Sequence, residues 1–265
     1  MKIILCLVIL LTMLTVHAGH RFLRTIEWVK PSENRANLDS IKINRQFVSI
    51  IFWNVENLYD PFDDTLKLDN EFTSTGEKHW SWTRFRQKIN LTAKTLLSAG
   101  GWEFPVIIGM CEVENKFVLT RLVSDSPMRR AGYRIIHYDS PDNRGVDVAM
   151  LYRPDEFTPL MSRPVEIRYP FDTLARTRDI LMVKGVLRSS DTLVVLINHW
   201  PSRRGGQTYS APRRNFVAST LRRVTDSLFN GNPLTNIVIT GDFNDDPFDL
   251  SLKEFLGAKT EKDSM

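Results

Sequence analysis

Apolar positions along the chain fall into short runs whose spacing alternates between the period of a strand and that of a helix, the pattern of an α/β domain. Residues 47–53 read as a buried strand, and 105–111 as a fully buried one. Residues 133–138 alternate, with 146–152 as their partner across a turn at 139–145. Residues 180–187 and 192–198 make a hairpin through Arg188-Ser-Ser-Asp191, and Ile237-Val-Ile-Thr240 is a last buried strand. Between them, Phe85, Ile89, Ala93, Leu96 and Leu97 place an amphipathic helix over 83–98, closed by Gly100-Gly101. A second helix is expected over 116–123. A third, capped by Ser210 and Pro212 and running to about 228, turns Phe216, Val217, Leu221, Val224 and Leu228 inward. Residues 60–80 are a polar loop with several acids and the aromatics Phe62, Phe72 and Trp80, long enough to be a binding element or a lid.

The amino terminus follows another pattern. Lys2 precedes an apolar run over 3–16, and Val16-His17-Ala18 supplies small residues where a signal peptidase reads, so residues 1–18 are expected to be a signal peptide cleaved near Ala18. A membrane anchor would need about 20 apolar residues, and no later stretch supplies a stable membrane span. The expected location is secreted or periplasmic. Residues 19–46 are too polar to pack and form a leader, leaving 47–265 as a single domain, expected to act as a monomer. Of two cysteines, Cys6 leaves with the signal and Cys111 sits in an apolar run, so export brings no disulfide framework. A composition of 42% hydrophobic and 25% charged residues is that of an ordinary globular protein. The net charge of +4 is spread along the chain, and so is only compatible with a polyanionic substrate.

Candidate chemistry gathers where strands end. Asn54 and Glu56 follow the first strand; Glu112 and Glu114 follow the second, one of them able to hold a hard cation and the other structural. Asp147 is a carboxylate inside an apolar strand and needs a partner, with Arg144, His137 or His199 available. His199-Trp-Pro-Ser-Arg-Arg-Gly-Gly206 puts a histidine beside Arg203 and Arg204, which suit phosphate oxygens. Gly241 turns the chain so that Asp242, Asn244, Asp245 and Asp246 cluster after the last strand, where a carboxylate could take a proton from water and an amide could meet an anionic oxygen. Each cluster alone reads equally well as a polar turn.

Jointly they say more. Phe52-Trp-Asn-Val-Glu-Asn-Leu58, Cys111-Glu-Val-Glu-Asn115, Arg144-Gly-Val-Asp-Val-Ala149, Asn198-His-Trp-Pro-Ser202 and Gly241-Asp-Phe-Asn-Asp-Asp-Pro247 resemble, in order and spacing, the endonuclease/exonuclease/phosphatase family, whose fold deoxyribonuclease I shares. The resemblance implies a four-layer sandwich of two mixed, mostly antiparallel sheets flanked by helices, with the site at one rim. It implies Asn54 and Glu112 as metal residues for a divalent cation, Mg²⁺ with Mn²⁺ or Ca²⁺ as alternatives, and His199, Asp242 and Asn244 as catalytic residues. Glu56, Arg144, Asp147 and Arg203 stand as supporting or substrate residues. The implied activity is metal-dependent hydrolysis of phosphodiesters, most readily of nucleic acid. A phosphomonoesterase, a phospholipid head-group phosphodiesterase, or a noncatalytic phosphate- or nucleic-acid-binding relic are the alternatives. The family's late Asp-His pair has no counterpart after His199. This implies that C-terminal strands are missing, and that a sheet edge stands exposed where they would pair.

Overall fold

A computed structural model of the chain describes residues 3–5, 48–101 and 103–259. The leader at 19–46 and most of the expected signal peptide lie outside the described residues. The strands are β1 (Ile3–Leu5), β2 (Ile50–Leu58), β3 (Ile107–Val113), β4 (Arg134–His137), β5 (Asp147–Tyr152), β6 (Phe157–Val165), β7 (Ile180–Leu187), β8 (Thr192–His199) and β9 (Asn236–Asp242). The α-helices are α1 (Trp82–Ala99), α2 (Lys116–Ser124) and α3 (Gln207–Gly231). One sheet has the order β2-β3-β5-β4 and the other β1-β9-β8-β7-β6.

Strand alternation divides the side chains into layers. Ile107, Cys111, Val148, Met150, Leu181, Val183, Val195, Ile197 and Val238 fill the space between the two sheets. Ile108, Met110, Ala149 and Leu151 point the other way, against Phe85, Ile89, Ala93 and Leu96 of α1 and Val118, Leu119 and Leu122 of α2. Val194, Leu196, Ile237 and Ile239 likewise cover Val217, Ala218 and Leu221 of α3 and Leu252 and Leu256 of a π-helical turn at Ser251–Leu256. Helix, sheet, sheet, helix is the four-layer α/β sandwich expected, and burial of apolar side chains on both faces of each sheet holds the layers together.

Three local differences have physical causes. Strand β6 carries Pro159 and Pro164, which mask a strand signal, yet it is the edge of its sheet, where a missing N–H is tolerated. Helix α3 begins at Gln207, earlier than Ser210: Gly205 and Gly206 take positive φ and turn the chain in, and the Ser210 hydroxyl donates to Gly206 O from within the helix. The outer edge of β9 is not bare over its first half. Ile3, Ile4 and Leu5, which fall within the expected signal peptide, pair with Ile237, Val238 and Ile239 in parallel in the uncleaved chain, and cleavage near Ala18 would leave that edge bare again.

Candidate active site

Two parallel pairs, β2 with β3 in one sheet and β8 with β9 in the other, bring four carboxyl ends to the same rim. Along β8, Leu193, Val195 and Ile197 face the inter-sheet core, so His199 faces it too, one step beyond the apolar packing. The same alternation from Val238 brings Asp242 to that face, and from Ile50 and Phe52 it brings Asn54. The three polar residues thus end three apolar stripes, at the point where the core opens. Asn54 Nδ2 donates to Asp242 Oδ2 at 2.9 Å across the two sheets.

Glu112 arrives by another device. A bulge in β3 between Cys111 and Val113 lets Val113 rejoin the helix-side layer and leaves Glu112 as the extra residue, at φ 60°. Its carboxylate makes no hydrogen bond among the described residues, and Oε1 stands 3.7 Å from His199 Nε2. Glu56 (φ 55°), Asn57 (φ 64°) and Asn244 (φ 51°) are also left-handed, so these strand ends carry strained non-glycine backbone, as do His79 and Ser190 elsewhere. Asp242 Oδ1 accepts from Asn244 N at 3.0 Å, and Asn244 Nδ2 donates to Trp200 O at 2.9 Å. Glu56 is exposed, with its N–H on Asn54 Oδ1 at 2.9 Å.

The antiparallel neighbours contribute their amino ends to the same rim. Arg144, just before β5, and Arg178, just before β7, both act on His199: burial first, then these two charges, hold the imidazole well below its usual pKa, so it is neutral near pH 7. Among the described residues His199 Nδ1 is buried without a hydrogen-bond partner. Arg178 is buried, donating to Asp142 Oδ2 at 3.0 Å and Trp200 O at 2.8 Å. Asp142 also accepts from Arg144 N at 3.0 Å. Lys88 on α1 feels the charges of Glu56 and Glu112, although burial pulls its pKa down. None of Arg178, Asp142 and Lys88 was singled out from the sequence. The Thr177-Arg178-Asp179 triple immediately before an apolar run was the available signal.

Other candidates turn away. Asp147 pairs with His137 at 3.0 Å and accepts from Ser140 N at 2.8 Å, so of its three possible partners it takes His137. Arg203 donates to Asn244 O at 2.9 Å and Asp249 Oδ2 at 2.6 Å, and lies 3.2 Å from Asp245 Oδ1. Asp245 does not face the site with Asp242: it is buried against Arg214, whose Nε is 2.7 Å from its Oδ2. Burial pushes the Glu114 carboxyl up to about 8, and its Oε2 accepts from Asp60 N at 2.6 Å, a structural position beside Glu112.

Cys111, His199 and Asp242 offer atoms within 4.8 Å of one another. Burial drives the Cys111 thiol well above its usual pKa, which removes the thiolate a soft metal would need. The remaining oxygen donors, Asn54, Glu112 and Asp242, are a hard set, and the unbonded Glu112 carboxylate fits a divalent cation of the magnesium type.

The sequence model of the endonuclease/exonuclease/phosphatase family matches residues 49–265. The chain belongs to that family. Members of the endonuclease/exonuclease/phosphatase family are phosphoester hydrolases, and generally depend on a divalent metal. Solved structures share the fold: the human nocturnin catalytic domain with bound sulfate (17% identity, TM-score 0.56, 80% of this chain and 70% of that one) and a mannosyl-6-phosphatase of Bacteroides thetaiotaomicron (16%, 0.54, 80% and 70%). A third is ANGEL2, a 2′,3′-cyclic phosphatase (18%, 0.52, 78% and 55%). No curated protein sequence matches this member of the family significantly. Among the described residues no helix is long and apolar enough to cross a membrane.

Proposed function

We propose that the protein is a divalent-cation-dependent phosphodiester hydrolase of the nuclease type, exported after loss of residues 1–18. The observation that carries this reading is the meeting of Asn54, Glu112, His199, Asp242 and Asn244 at one rim, under the charges of Arg144 and Arg178. Asn54 and Glu112 would hold the cation, Mg²⁺ or alternatively Mn²⁺ or Ca²⁺, which when bound neutralises charge developing on phosphoryl oxygens. Asp242 uses one lone pair on each oxygen for Asn54 and Asn244, and keeps others to accept the proton of a water attacking phosphorus. The P–O bond to the leaving group breaks as the water oxygen bonds. His199, neutral, has one N–H to give a non-bridging oxygen; Arg178, fixed by Asp142 and Trp200, adds positive field where the phosphate would lie. One N–H of Asn244 is spent on Trp200 O, leaving the other for substrate.

The test is hydrolysis by the purified protein of plasmid DNA, bis(p-nitrophenyl) phosphate and p-nitrophenyl phosphate, with Mg²⁺ and with EDTA. Diesters should be cleaved only with the cation, and His199→Ala or Asp242→Asn should lower the rate by about 10²–10⁴-fold. Faster release from the monoester would replace this reading with a phosphomonoesterase. Salt-dependent DNA binding without turnover would replace it with a binding protein. Amino-terminal sequencing of exported material checks the processing, and retention of Met1 would refute it.

A further inference from the structure

The loops around the rim differ in charge. The β2–α1 connection over 60–80 carries six acids against two lysines, whereas residues 200–213, which follow His199, carry three arginines and no acid. In the five-stranded sheet β7 runs antiparallel to both β6 and β8, so the 166–179 connection reaches the rim beside the 200–206 loop. A polyanion extending from the site is drawn along this side and repelled from the other.

Two large rings stand exposed there. Phe171 is 56% exposed, and Tyr209, on the first turn of α3, is 64% exposed. Both are held in place from behind. Phe171 leans on buried Tyr169, centroids 5.4 Å apart, and meets Phe216 of α3 edge-on at 6.0 Å. Tyr209 lies over Gly205, where a Cβ would come within 3.2 Å of its Cδ1, with the Arg213 guanidinium 5.3 Å from its centroid. Arg213 also donates to Asp172 Oδ2 at 2.6 Å, so one side chain joins the two ring-bearing segments. Exposed Arg176 and Arg204 make no hydrogen bond or ion pair among the described residues. Positioned rings left in water, beside guanidinium groups with donors to spare, fit a partner made of flat bases and phosphates.

We infer, resting on the phosphodiester reading above, that this lip takes single-stranded nucleic acid beside the scissile phosphate, with bases stacked on Phe171 and Tyr209 and phosphates met by Arg176 and Arg204. A duplex fits less well, because its bases are stacked on one another and present only their edges. The test is fluorescence anisotropy of a labelled strand of about 15 nucleotides with the purified full-length protein in EDTA, against the same sequence as a duplex. The single strand should bind about tenfold tighter or more. Tyr209→Ala and Phe171→Ala should each weaken its binding about fivefold or more, and Tyr209→Phe, which keeps the ring, should not. Arg204→Gln should reduce the slope of log affinity against log salt by about 0.7. Equal or tighter duplex binding, or alanine variants that bind as the wild type does, would overturn the inference. So would capture by phosphatidylglycerol vesicles without oligonucleotide binding, which would give the rings to a lipid surface. Binding in EDTA reads no hydrolysis, and bis(p-nitrophenyl) phosphate carries no nucleobase, so failure of the lip is distinguishable from failure of the proposed activity.

Discussion

Arg214 is fully buried on α3 and ties together the two loops that carry His199 and Asp242, so its removal tests how the rim is held. Its Nε lies 2.7 Å from Asp245 Oδ2, Nη1 donates to Ser210 Oγ at 2.8 Å and Pro201 O at 3.3 Å, and Nη2 donates to Gln207 Oε1 at 2.9 Å. Arg214→Met keeps most of the apolar volume but leaves the Asp245 carboxylate short of its buried partner. Breaking such a pair from one side costs about 3–5 kcal/mol. Asp245 keeps Arg203 at 3.2 Å and the Ser251 hydroxyl at 2.6 Å, which argues for the lower end, about 3 kcal/mol. At about 2–4 °C per kcal/mol for a domain of this size, the melting temperature should fall by about 6–12 °C. Urea unfolding at pH 7 measures the loss directly, and Arg214→Met/Asp245→Leu should recover part of it because no orphaned charge remains. A loss under about 0.5 kcal/mol in the single variant would refute the claim that this pair holds the loops.

Three further outcomes follow from particular residues. Burial pushes Asp179 up to about 6, so protonation favours the folded state: stability contributed by the neutral form is present at low pH and is lost as pH rises from the ordinary carboxylate value through about 6. Discounted for partial exposure, Asp179→Asn, whose side-chain oxygen can still accept from Ile167 N, should stabilise by about 1 kcal/mol at pH 8 and by little at pH 4, as read by denaturant titration at both values. Gly241→Ala should cost about 3 kcal/mol or more and disturb the rim, because a Cβ there would lie 2.3 Å from Asn198 O; a melting curve matching wild type would contradict this. Asp147→Asn should lower stability by about 1–3 kcal/mol through loss of the buried charge facing His137, checked by thermal unfolding.

Much of this architecture was legible because burial on both faces of a sheet writes itself into runs such as Ile107–Cys111, and because Asn54, His199 and Asp242 each end an alternating stripe. The edge strand β6 was not legible: its prolines break the pattern, and only its position at the sheet edge makes them tolerable. Reading the carboxyl ends of strands found the residues on parallel neighbours. It passed over Arg178, because β7 runs antiparallel to β8 and delivers its amino end to the same rim. Asp245 was misplaced for another reason, whereas Arg203 supports the rim by donating to Asn244 O. An acid and a base near a site look alike in sequence whether they face a ligand or each other, and only the third dimension pairs Arg203 and Arg214 with Asp245.

The claim that Asn54 and Glu112 hold a catalytic cation is tested most directly by the rate of bis(p-nitrophenyl) phosphate hydrolysis across a Mg²⁺ titration, for wild type and Glu112→Gln. The account predicts no turnover in EDTA, saturation with Mg²⁺ in the wild type, and a variant that is slower and needs about tenfold more cation or beyond, with an unchanged far-ultraviolet spectrum. Turnover that persists in EDTA, or a Mg²⁺ dependence that Glu112→Gln leaves unmoved, would contradict it.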